Sequence, residues 1–314
     1  MIELDRNHWA LILGGSSGFG LASARKLARQ GMSIVIVHRD RRGAMPAITQ
    51  SFREIEETGV GFVAFNLDAL SVDGRAKVLD HVASELGAGR VRLLLHSIAF
   101  GNLKPLAPPR DLGAPAERAR VRLAQALGMD PERLRDILRE VFSQEGSEAL
   151  AKLIDPPAQD SDSLLEEEDF ARTIHAMGTS LVEWTSDLHR RGLFAPDARV
   201  LSLTSEGNEI AWRGYAAVGA AKAALESVSR AIAVELAPYG IRANVVQAGV
   251  TETPALRLIP GSKTLSASAK LRNPFGRLTT PEDVADVICL LCTNEARWIN
   301  GALIRVDGGE HIAG

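Results

Sequence analysis

Seven short apolar segments recur along the chain and alternate with longer segments of helical periodicity. They are residues 9–13, 33–37, 61–65, 91–96, 198–204, 242–247 and 302–306. Strands that are apolar on both faces must be covered on both faces, which is typical of a parallel sheet between layers of helices. The pattern therefore predicts an α/β fold built on a doubly wound parallel sheet of about seven strands.

The alternation fails once, between the fourth and fifth apolar segments, where a helical insertion over residues 104–166 replaces a short connection. Asp130 and Pro131 suit the N-cap and first turn of a helix, and a preceding helix is predicted near residues 115–127. The second helix carries an apolar stripe, formed by Leu134, Ile137, Leu138, Val141 and Phe142. We predict a single domain over 1–314 that contains this insertion.

Composition narrows the possible functions. A net charge of −3 and a pI near 6.2 provide no general attraction to nucleic acid or to anionic lipid. The first apolar run is too short for a signal peptide and no run of about 18 apolar residues occurs, which predicts a cytoplasmic protein without a membrane span. Cys289 and Cys292 lie in an apolar helical pattern, so we expect core residues and no metal site.

A glycine-rich turn, GGSSGFG, directly follows the first predicted strand. Gly14, Gly18 and Gly20 precede a helical segment. Glycine permits a tight turn and lets the backbone approach a pyrophosphate, which is favoured by the free N–H groups of a helix start. The turn therefore predicts a Rossmann-type dinucleotide site, although the same pattern also occurs in ordinary glycine-rich turns.

The second predicted strand ends in HRDRR, where a dinucleotide-binding fold recognises the adenosine ribose. Arg39, Arg41 or Arg42 could pair with a 2′-phosphate, whereas Asp40 could accept a hydrogen bond from a 2′-hydroxyl. The excess of arginine favours NADPH over NADH as the cofactor. A solvated run of charges remains the alternative for each arginine.

Tyr215 and Lys222 are seven positions apart in a segment of small, helix-favouring residues. At this spacing two side chains on a helix point within about 20° of each other and are separated by about 10 Å along the axis. They could therefore act on one ligand from one side. A nearby ammonium is expected to lower the pKa of the tyrosine and make it a better proton donor to a developing oxyanion.

Four motifs share one family resemblance. Tyr215 and Lys222 form a Tyr-x6-Lys pair, whereas most short-chain reductases have Tyr-x3-Lys. The segment LLLHSIAFG looks like a His-Ser-Ile-Gly/Ala-Phe motif, and the segments GIRANVVQAGVTETPAL and INGALIRVDGG look like a sixth strand with its nicotinamide-side loop and a last strand. Over about residues 8–103 and 165–310 the chain thus resembles the short-chain dehydrogenases/reductases, and within them the enoyl-acyl-carrier-protein reductases.

The resemblance implies specific residue roles. Tyr215 would hydrogen-bond the thioester carbonyl of the substrate, Lys222 would hold the nicotinamide ribose, and Ser205 lies where ordinary short-chain reductases have a catalytic serine. The cofactor residues that it implies are Gly14, Ser16, Ser17, Gly18, Phe19, Gly20, Arg39, Asn66, Leu67, Ser97, Ile98, Ala99, Lys222, Gly249, Thr251 and Thr253.

The chain departs from the family pattern at two positions near this site. Many enoyl reductases have a second tyrosine where this chain has Ser205, so the site combines features of two branches. His175 stands about where the family has an Asn or Asp of a proton relay, which puts that relay in doubt. A second histidine, His96 in the segment LLLHSIAFG, is expected to be structural.

These observations predict an NADPH-dependent enoyl-thioester reductase that adds hydride to the β-carbon. Two alternatives remain open: a short-chain carbonyl or 3-oxoacyl reductase that uses Ser205 with Tyr215, and a non-catalytic nicotinamide-binding regulatory or scaffold protein. The family resemblance further implies an acyl carrier protein or coenzyme A as the carrier of the substrate, a homo-oligomer (dimer or homotetramer), and a role in fatty acid biosynthesis.

The insertion has two interpretations. It could be a helical hairpin that packs on its own subunit or on a neighbour, or it could be a substrate lid or a docking surface for an acyl carrier. Because it leaves the scaffold after the fourth strand, where ligands of doubly wound folds bind, we expect it to cover the acyl end of the substrate or to pack at a subunit boundary near that point.

Overall fold

One parallel sheet of seven strands forms the centre of the molecule. A computed structural model describes residues 4–86, 90–108, 114–154 and 163–313. The strands are β1 His8–Leu13, β2 Ser33–His38, β3 Phe62–Asn66, β4 Arg90–His96, β5 Phe194–Thr204, β6 Arg242–Ala248 and β7 Leu303–Val306. Their order is β3-β2-β1-β4-β5-β6-β7. The predicted fold is confirmed, and the reversal of strand order beside β1 and β4 opens a crevice at their carboxyl ends.

Helices cover both faces of the sheet. They are α1 Gly18–Arg29, α2 Met45–Glu56, α3 Val72–Glu85, α4 Ala114–Leu127, α5 Pro131–Phe142, α6 Glu167–Ile174, α7 Ser180–Arg190, α8 Ala216–Glu235, α9 Pro254–Arg257, α10 Ser262–Arg272 and α11 Pro281–Leu291. Helices α1, α2 and α11 share one apolar core, and α3, α7 and α8 share the other. Successive residues of β2, Val35 and Ile36, enter opposite cores, which explains why the strands are apolar throughout.

Both cysteines belong to the core, as predicted from their spacing. Cys289 lies in α11 and Cys292 directly after it, and both are buried thiols without a disulfide. Burial raises the pKa of Cys292 to about 12, so this thiol stays protonated and unreactive. Among the helices of the described ranges, none combines the length and the apolar character needed to cross a membrane.

The insertion has a small core of its own. Helices α4 and α5 pack together with the turn Glu148–Leu153 around Ala124, Leu134 and Leu138. Asp130 caps α5 because its Oδ1 accepts hydrogen bonds from the N–H groups of the second and third helical residues. Both helices predicted for the insertion are therefore present. The predicted stripe is only partly buried, and residues 109–113 and 155–162 lie outside the described part of the insertion.

Candidate functional site

The glycine-rich turn between β1 and α1 has a geometry that larger residues could not adopt. Gly14 has φ +85°, and a Cβ atom there would lie 2.6 Å from the carbonyl oxygen of Ser97. A Cβ atom at Gly20 would lie 2.2 Å from the carbonyl oxygen of Gly14. The N-cap residue of α1, Ser17, makes no side-chain capping bond. The turn therefore brings backbone close to the crevice with the N–H groups of α1 available to an anion.

A cavity of about 420 Å³ follows this turn across the carboxyl ends of the strands. Its walls include most of the predicted cofactor residues, namely Gly14, Ser16, Ser17, Gly18, Phe19, Arg39, Leu67, Ser97, Ile98, Ala99 and Thr253. The volume lies in the range of ligand sites, and the required glycines line the pyrophosphate end. The residues present thus fit a dinucleotide.

Five predicted cofactor residues do not line this cavity, and two of them are Gly20 and Asn66. Gly20 lies beneath the turn, where its lack of a side chain permits the close contact with Gly14. The Asn66 amide accepts a hydrogen bond from the backbone N–H of Asp40 at 3.0 Å and donates one to the Asp40 carbonyl at 3.1 Å. Asn66 therefore joins the segments that follow β2 and end β3, while its neighbour Leu67 forms part of the wall.

Arg39 is the one arginine of the HRDRR segment that lines the cavity. Its Nη1 donates to Asp68 Oδ2 at 2.9 Å, and its guanidinium lies 4.6 Å from the ring centroid of Phe100. Asp40, the competing ribose ligand, has its carboxylate 2.9 Å from Nδ1 of His38. Both residues that could recognise the ribose are therefore held by neighbours, which the sequence did not indicate.

Tyr215 and Ser205 meet in a second cavity. Tyr215 is the N-cap residue of α8, and its hydroxyl lies 3.4 Å from Ser205 Oγ at the end of β5. Lys222, two turns further along α8, is buried and donates from Nζ to the carbonyl oxygen of Leu203 at 2.8 Å. Tyr215 and Ser205 line this cavity, whereas Lys222 is bonded to the backbone of β5 and does not.

The pKa shifts of Tyr215 and Lys222 in the structure differ from the shift that the sequence predicted for Tyr215. Burial raises the pKa of Tyr215, and the hydrogen bond with Ser205 only partly opposes this effect. The predicted lowering of the tyrosine pKa is therefore wrong, because desolvation disfavours the phenolate. Burial also lowers the pKa of Lys222 to about 8, with the Glu226 carboxylate acting in the opposite direction. Tyr215 consequently keeps its proton at neutral pH and is able to donate it.

The second cavity is smaller and mainly apolar. Its volume is about 170 Å³. Apolar side chains form most of its wall: Phe19, Leu103, Met177, Trp212, Val218, Leu256, Leu258, Ile259 and Leu265. The predicted residues Gly249, Thr251 and Thr253 also line it, and Thr253 Oγ1 caps α9 through the N–H of Leu256. Phe19, Ala99 and Thr253 border both cavities, so a ligand in one lies next to a ligand in the other.

A buried ion network supports the loop that carries Ser205. Glu206 lines the second cavity, and its Oε1 accepts a hydrogen bond from Arg272 Nη2 at 2.5 Å. The same nitrogen donates to Glu310 Oε1 at 2.8 Å, while Glu310 Oε2 accepts from the N–H of Val250. The network joins α10, the Ser205 loop and the chain after β7. Sequence analysis missed it, because its members are far apart in the sequence.

The two histidines singled out by the sequence lie outside both cavities. His175 begins a π-helical turn, His175–Thr179, and its ring is 3.8 Å from Glu183. The turn allows a close approach to α8, because a Cβ atom at Gly178 would lie 2.8 Å from the Ala221 carbonyl oxygen. His96 is buried, and burial lowers its pKa to about 3, so the ring is neutral, as expected for a structural residue.

Comparison with protein families agrees with this geometry. The family model described as short chain dehydrogenase matches residues 8–108, and the model described as Enoyl-(Acyl carrier protein) reductase matches residues 154–311. The interval between these matches, 109–153, contains both insertion helices. Neither family model therefore matches the two insertion helices.

Individual relatives include three enzymes. An enoyl-[acyl-carrier-protein] reductase [NADH] from Aquifex aeolicus is 40% identical over 115 residues, which are 37% of this chain and 43% of that protein. The crystal structure of the Aquifex aeolicus enoyl-[acyl-carrier-protein] reductase superposes with a TM-score of 0.70 at 25% identity, covering 100% of this chain and 98% of that chain.

Two further relatives match at 26% identity over nearly the whole length. A cis-4-hydroxycyclohexanecarboxylate dehydrogenase from Sinomonas cyclohexanicum aligns over 96% of this chain and 95% of its own. A 1-cyclohexenylcarbonyl-CoA reductase from Streptomyces collinus aligns over 98% of this chain and 88% of its own. The relatives therefore include enzymes named for an alcohol substrate and for an enoyl thioester.

Proposed function

Since the chain belongs to the short-chain dehydrogenase/reductase superfamily, as an NAD(P)H-dependent oxidoreductase of the enoyl-acyl-carrier-protein reductase type, we propose that it reduces the carbon–carbon double bond of an enoyl thioester. One observation carries this proposal. A buried, protonated Tyr215 lines a mainly apolar cavity that shares walls with the dinucleotide cavity. A phenol in that position can stabilise an enolate next to the hydride donor.

In this mechanism the dinucleotide, when bound, supplies the hydride that is added to the β-carbon. The N-terminus of α1 and the glycine turn hold the pyrophosphate, and Thr251 and Thr253 border the nicotinamide end. Tyr215 donates a hydrogen bond and then its proton to the thioester carbonyl oxygen, where negative charge develops as the enolate forms. The ammonium of Lys222, on the same helix, supports this charge electrostatically. The resulting enol tautomerises, which places a proton on the α-carbon and gives the saturated thioester, and Tyr215 regains its proton from solvent.

A second candidate reaction is reduction of a carbonyl group. The 3.4 Å separation of Ser205 Oγ and Tyr215 Oη favours it, because a serine and a tyrosine can both donate to one carbonyl oxygen. The alcohol dehydrogenase named among the relatives gives the same indication. We rank it second, because the Tyr-x6-Lys spacing and the enoyl reductase model over 154–311 both favour the double bond.

A direct assay distinguishes the two reactions. Purified protein should oxidise NADPH in the presence of crotonyl-CoA, with butyryl-CoA as the product identified by mass spectrometry. Acetoacetyl-CoA is the matched substrate for carbonyl reduction, since it has the same number of carbon atoms. Higher kcat/KM for acetoacetyl-CoA than for crotonyl-CoA would reverse the ranking of the two functions.

We also propose NADPH as the preferred cofactor, because Arg39 lies at the adenosine end of the dinucleotide cavity and Phe100 supports its guanidinium. NADPH should bind more tightly than NADH by about 1–3 kcal/mol, or about 5- to 150-fold in Kd, through charge-assisted bonds to the 2′-phosphate. Arg39→Ala should lower the ratio of the Kd for NADH to the Kd for NADPH. Asp68→Asn should raise it, because Asp68 competes with the phosphate for the same guanidinium.

Fluorescence titration of the two dinucleotides measures these ratios. Arg42→Ala is the matched control, because Arg42 belongs to the same segment but does not line the cavity. Equal Kd values for NADPH and NADH in the unmodified protein, or tighter NADH binding, would contradict the proposed preference.

A further inference from the structure

The segment from α9 to α10 separates the catalytic cavity from a second space. Leu256 and Leu265 face the catalytic cavity. On the other side, Ser266 and Lys270 of α10 line a cleft of about 490 Å³. The opposite wall of that cleft is formed by the end of α5 and by Glu148 of the insertion. Helix α10 is therefore a partition with the substrate cavity on one side and the insertion on the other.

An ion pair connects the insertion with this partition. Lys270 Nζ lies 2.6 Å from Glu148 Oε1, and the two side chains are 31% and 18% exposed. Their mutual hydrogen bond raises the pKa of Lys270 and lowers the pKa of Glu148, so both groups are charged at neutral pH. Glu148 begins the turn that packs on the small core of α4 and α5. The Lys270–Glu148 ion pair thus joins α10 to the small folded core of the insertion.

The described residues of the insertion lie away from the wall of the cavity that contains Tyr215. Within the described ranges, none of its residues lines the cavity that contains Tyr215. The expectation that the insertion covers the acyl end of the substrate stays a prediction, since residues 109–113 and 155–162 lie outside the described part of the insertion. The insertion contacts α10 through the Lys270–Glu148 pair, and Leu265 of that helix forms part of the cavity wall.

The size of the cavity restricts what can bind there. Its volume of about 170 Å³ is close to the ~150 Å³ of a protein cavity that holds one benzene molecule. Phe19 and Thr253 also border the dinucleotide cavity, so the same space has to admit the reacting end of the cofactor. An outward movement of α10 would enlarge the space that this cavity offers to an acyl group.

We propose that the insertion is a brace for α10, and that the Lys270–Glu148 ion pair is the specificity-determining contact through which it limits the substrate to short or single-ring acyl groups. This inference rests on the proposed enoyl-thioester reduction. Lys270 and Glu148 touch neither substrate nor cofactor in this arrangement. They act by positioning Leu265.

Chain-length selectivity tests the brace. In Glu148→Gln and in Lys270→Gln, kcat/KM for octenoyl-CoA relative to crotonyl-CoA should rise about threefold to fivefold, the range expected for loss of a partly exposed ion pair. The double variant Glu148→Lys with Lys270→Glu should return the ratio towards that of the unmodified protein, because it restores the pair with reversed charges. Lys263→Gln, on the same helix, is the control for loss of charge alone and should leave the ratio unchanged.

Hydrogen exchange provides a readout that does not depend on activity. Amides of α10 should exchange faster in Glu148→Gln than in Lys263→Gln, since the brace is released only in the first variant. Unchanged exchange in α10 would overturn the brace, and faster exchange with unchanged selectivity would overturn its role in specificity. If the unmodified protein reduces no enoyl thioester, the proposed function fails, while the exchange measurement still decides whether the insertion holds α10.

Discussion

Replacing Tyr215 with Phe should lower kcat for enoyl-thioester reduction by about 100- to 10,000-fold, the range for loss of a positioned proton donor. The substitution removes only the hydroxyl, which lies in the cavity beside Ser205. The aromatic ring and its edge contact with Trp212 remain, so the cavity should keep its shape. The Kd for NADPH should stay nearly unchanged, because Tyr215 does not line the dinucleotide cavity.

The chain has a suitable control for this substitution. It contains two tyrosines, and the other one, Tyr239, is exposed after the end of α8. Tyr239→Phe should leave kcat and the Kd for NADPH unchanged. Steady-state kinetics and dinucleotide titration on both variants separate a loss of chemistry from a loss of binding. Full enoyl reductase activity in Tyr215→Phe would refute the assignment of the proton donor.

Ser205→Ala distinguishes the two candidate reactions within the same experiment. Ser205 Oγ lies 3.4 Å from the Tyr215 hydroxyl, and in the proposed mechanism Tyr215 is the main donor to the enolate. Enoyl reduction should therefore decrease less in Ser205→Ala than in Tyr215→Phe. Carbonyl reduction should decrease strongly in both variants, because there the two hydroxyls share one carbonyl oxygen.

The sequence predicted those features of the fold that depend on local pattern. Apolar runs predicted all seven strands, and the adjacent residues Asp130 and Pro131 predicted the start of α5. The glycines of the first turn were recognised because they directly follow the first strand. In the structure Gly14 and Gly20 approach backbone atoms closely, and Gly18 has a positive φ. These signals lie within a few residues of each other, so no knowledge of the tertiary structure was required.

Features that depend on distant partners could not be predicted in this way. Glu206 and Arg272 are 66 residues apart, and their ion pair forms only because α10 folds back over the loop that follows β5. The direction of the Tyr215 pKa shift failed for the same reason, since desolvation depends on residues from many parts of the chain that line one cavity. The contact of the insertion with α10 likewise joins segments 122 residues apart.

Among the substitutions considered, the loss of Arg272 from its ion network with Glu206 and Glu310 should lower the stability of the protein most. Arg272→Met should lower the free energy of unfolding by about 2–4 kcal/mol, somewhat below the range for breaking a fully buried pair, because the Arg272 side chain is 26% exposed. The cost arises because Glu206 and Glu310, whose side chains are only 8% and 2% exposed, would lose the guanidinium that they share. Urea unfolding measures it as a lower midpoint with an unchanged m-value.

Two further variants show whether unpaired charge is the cause. Adding Glu206→Gln and Glu310→Gln to Arg272→Met should recover much of the lost stability, because neutral amides are far cheaper to bury than unpaired carboxylates. Arg277→Met is the matched control, since Arg277 forms an ion pair with Asp283 that is largely exposed, and its loss should change the midpoint little. If Arg272→Met and Arg277→Met lowered the midpoint equally, the network would contribute no more than a surface ion pair. Since Glu206 directly follows Ser205, Arg272→Met should also weaken any activity that depends on the serine, whereas Arg277→Met should not.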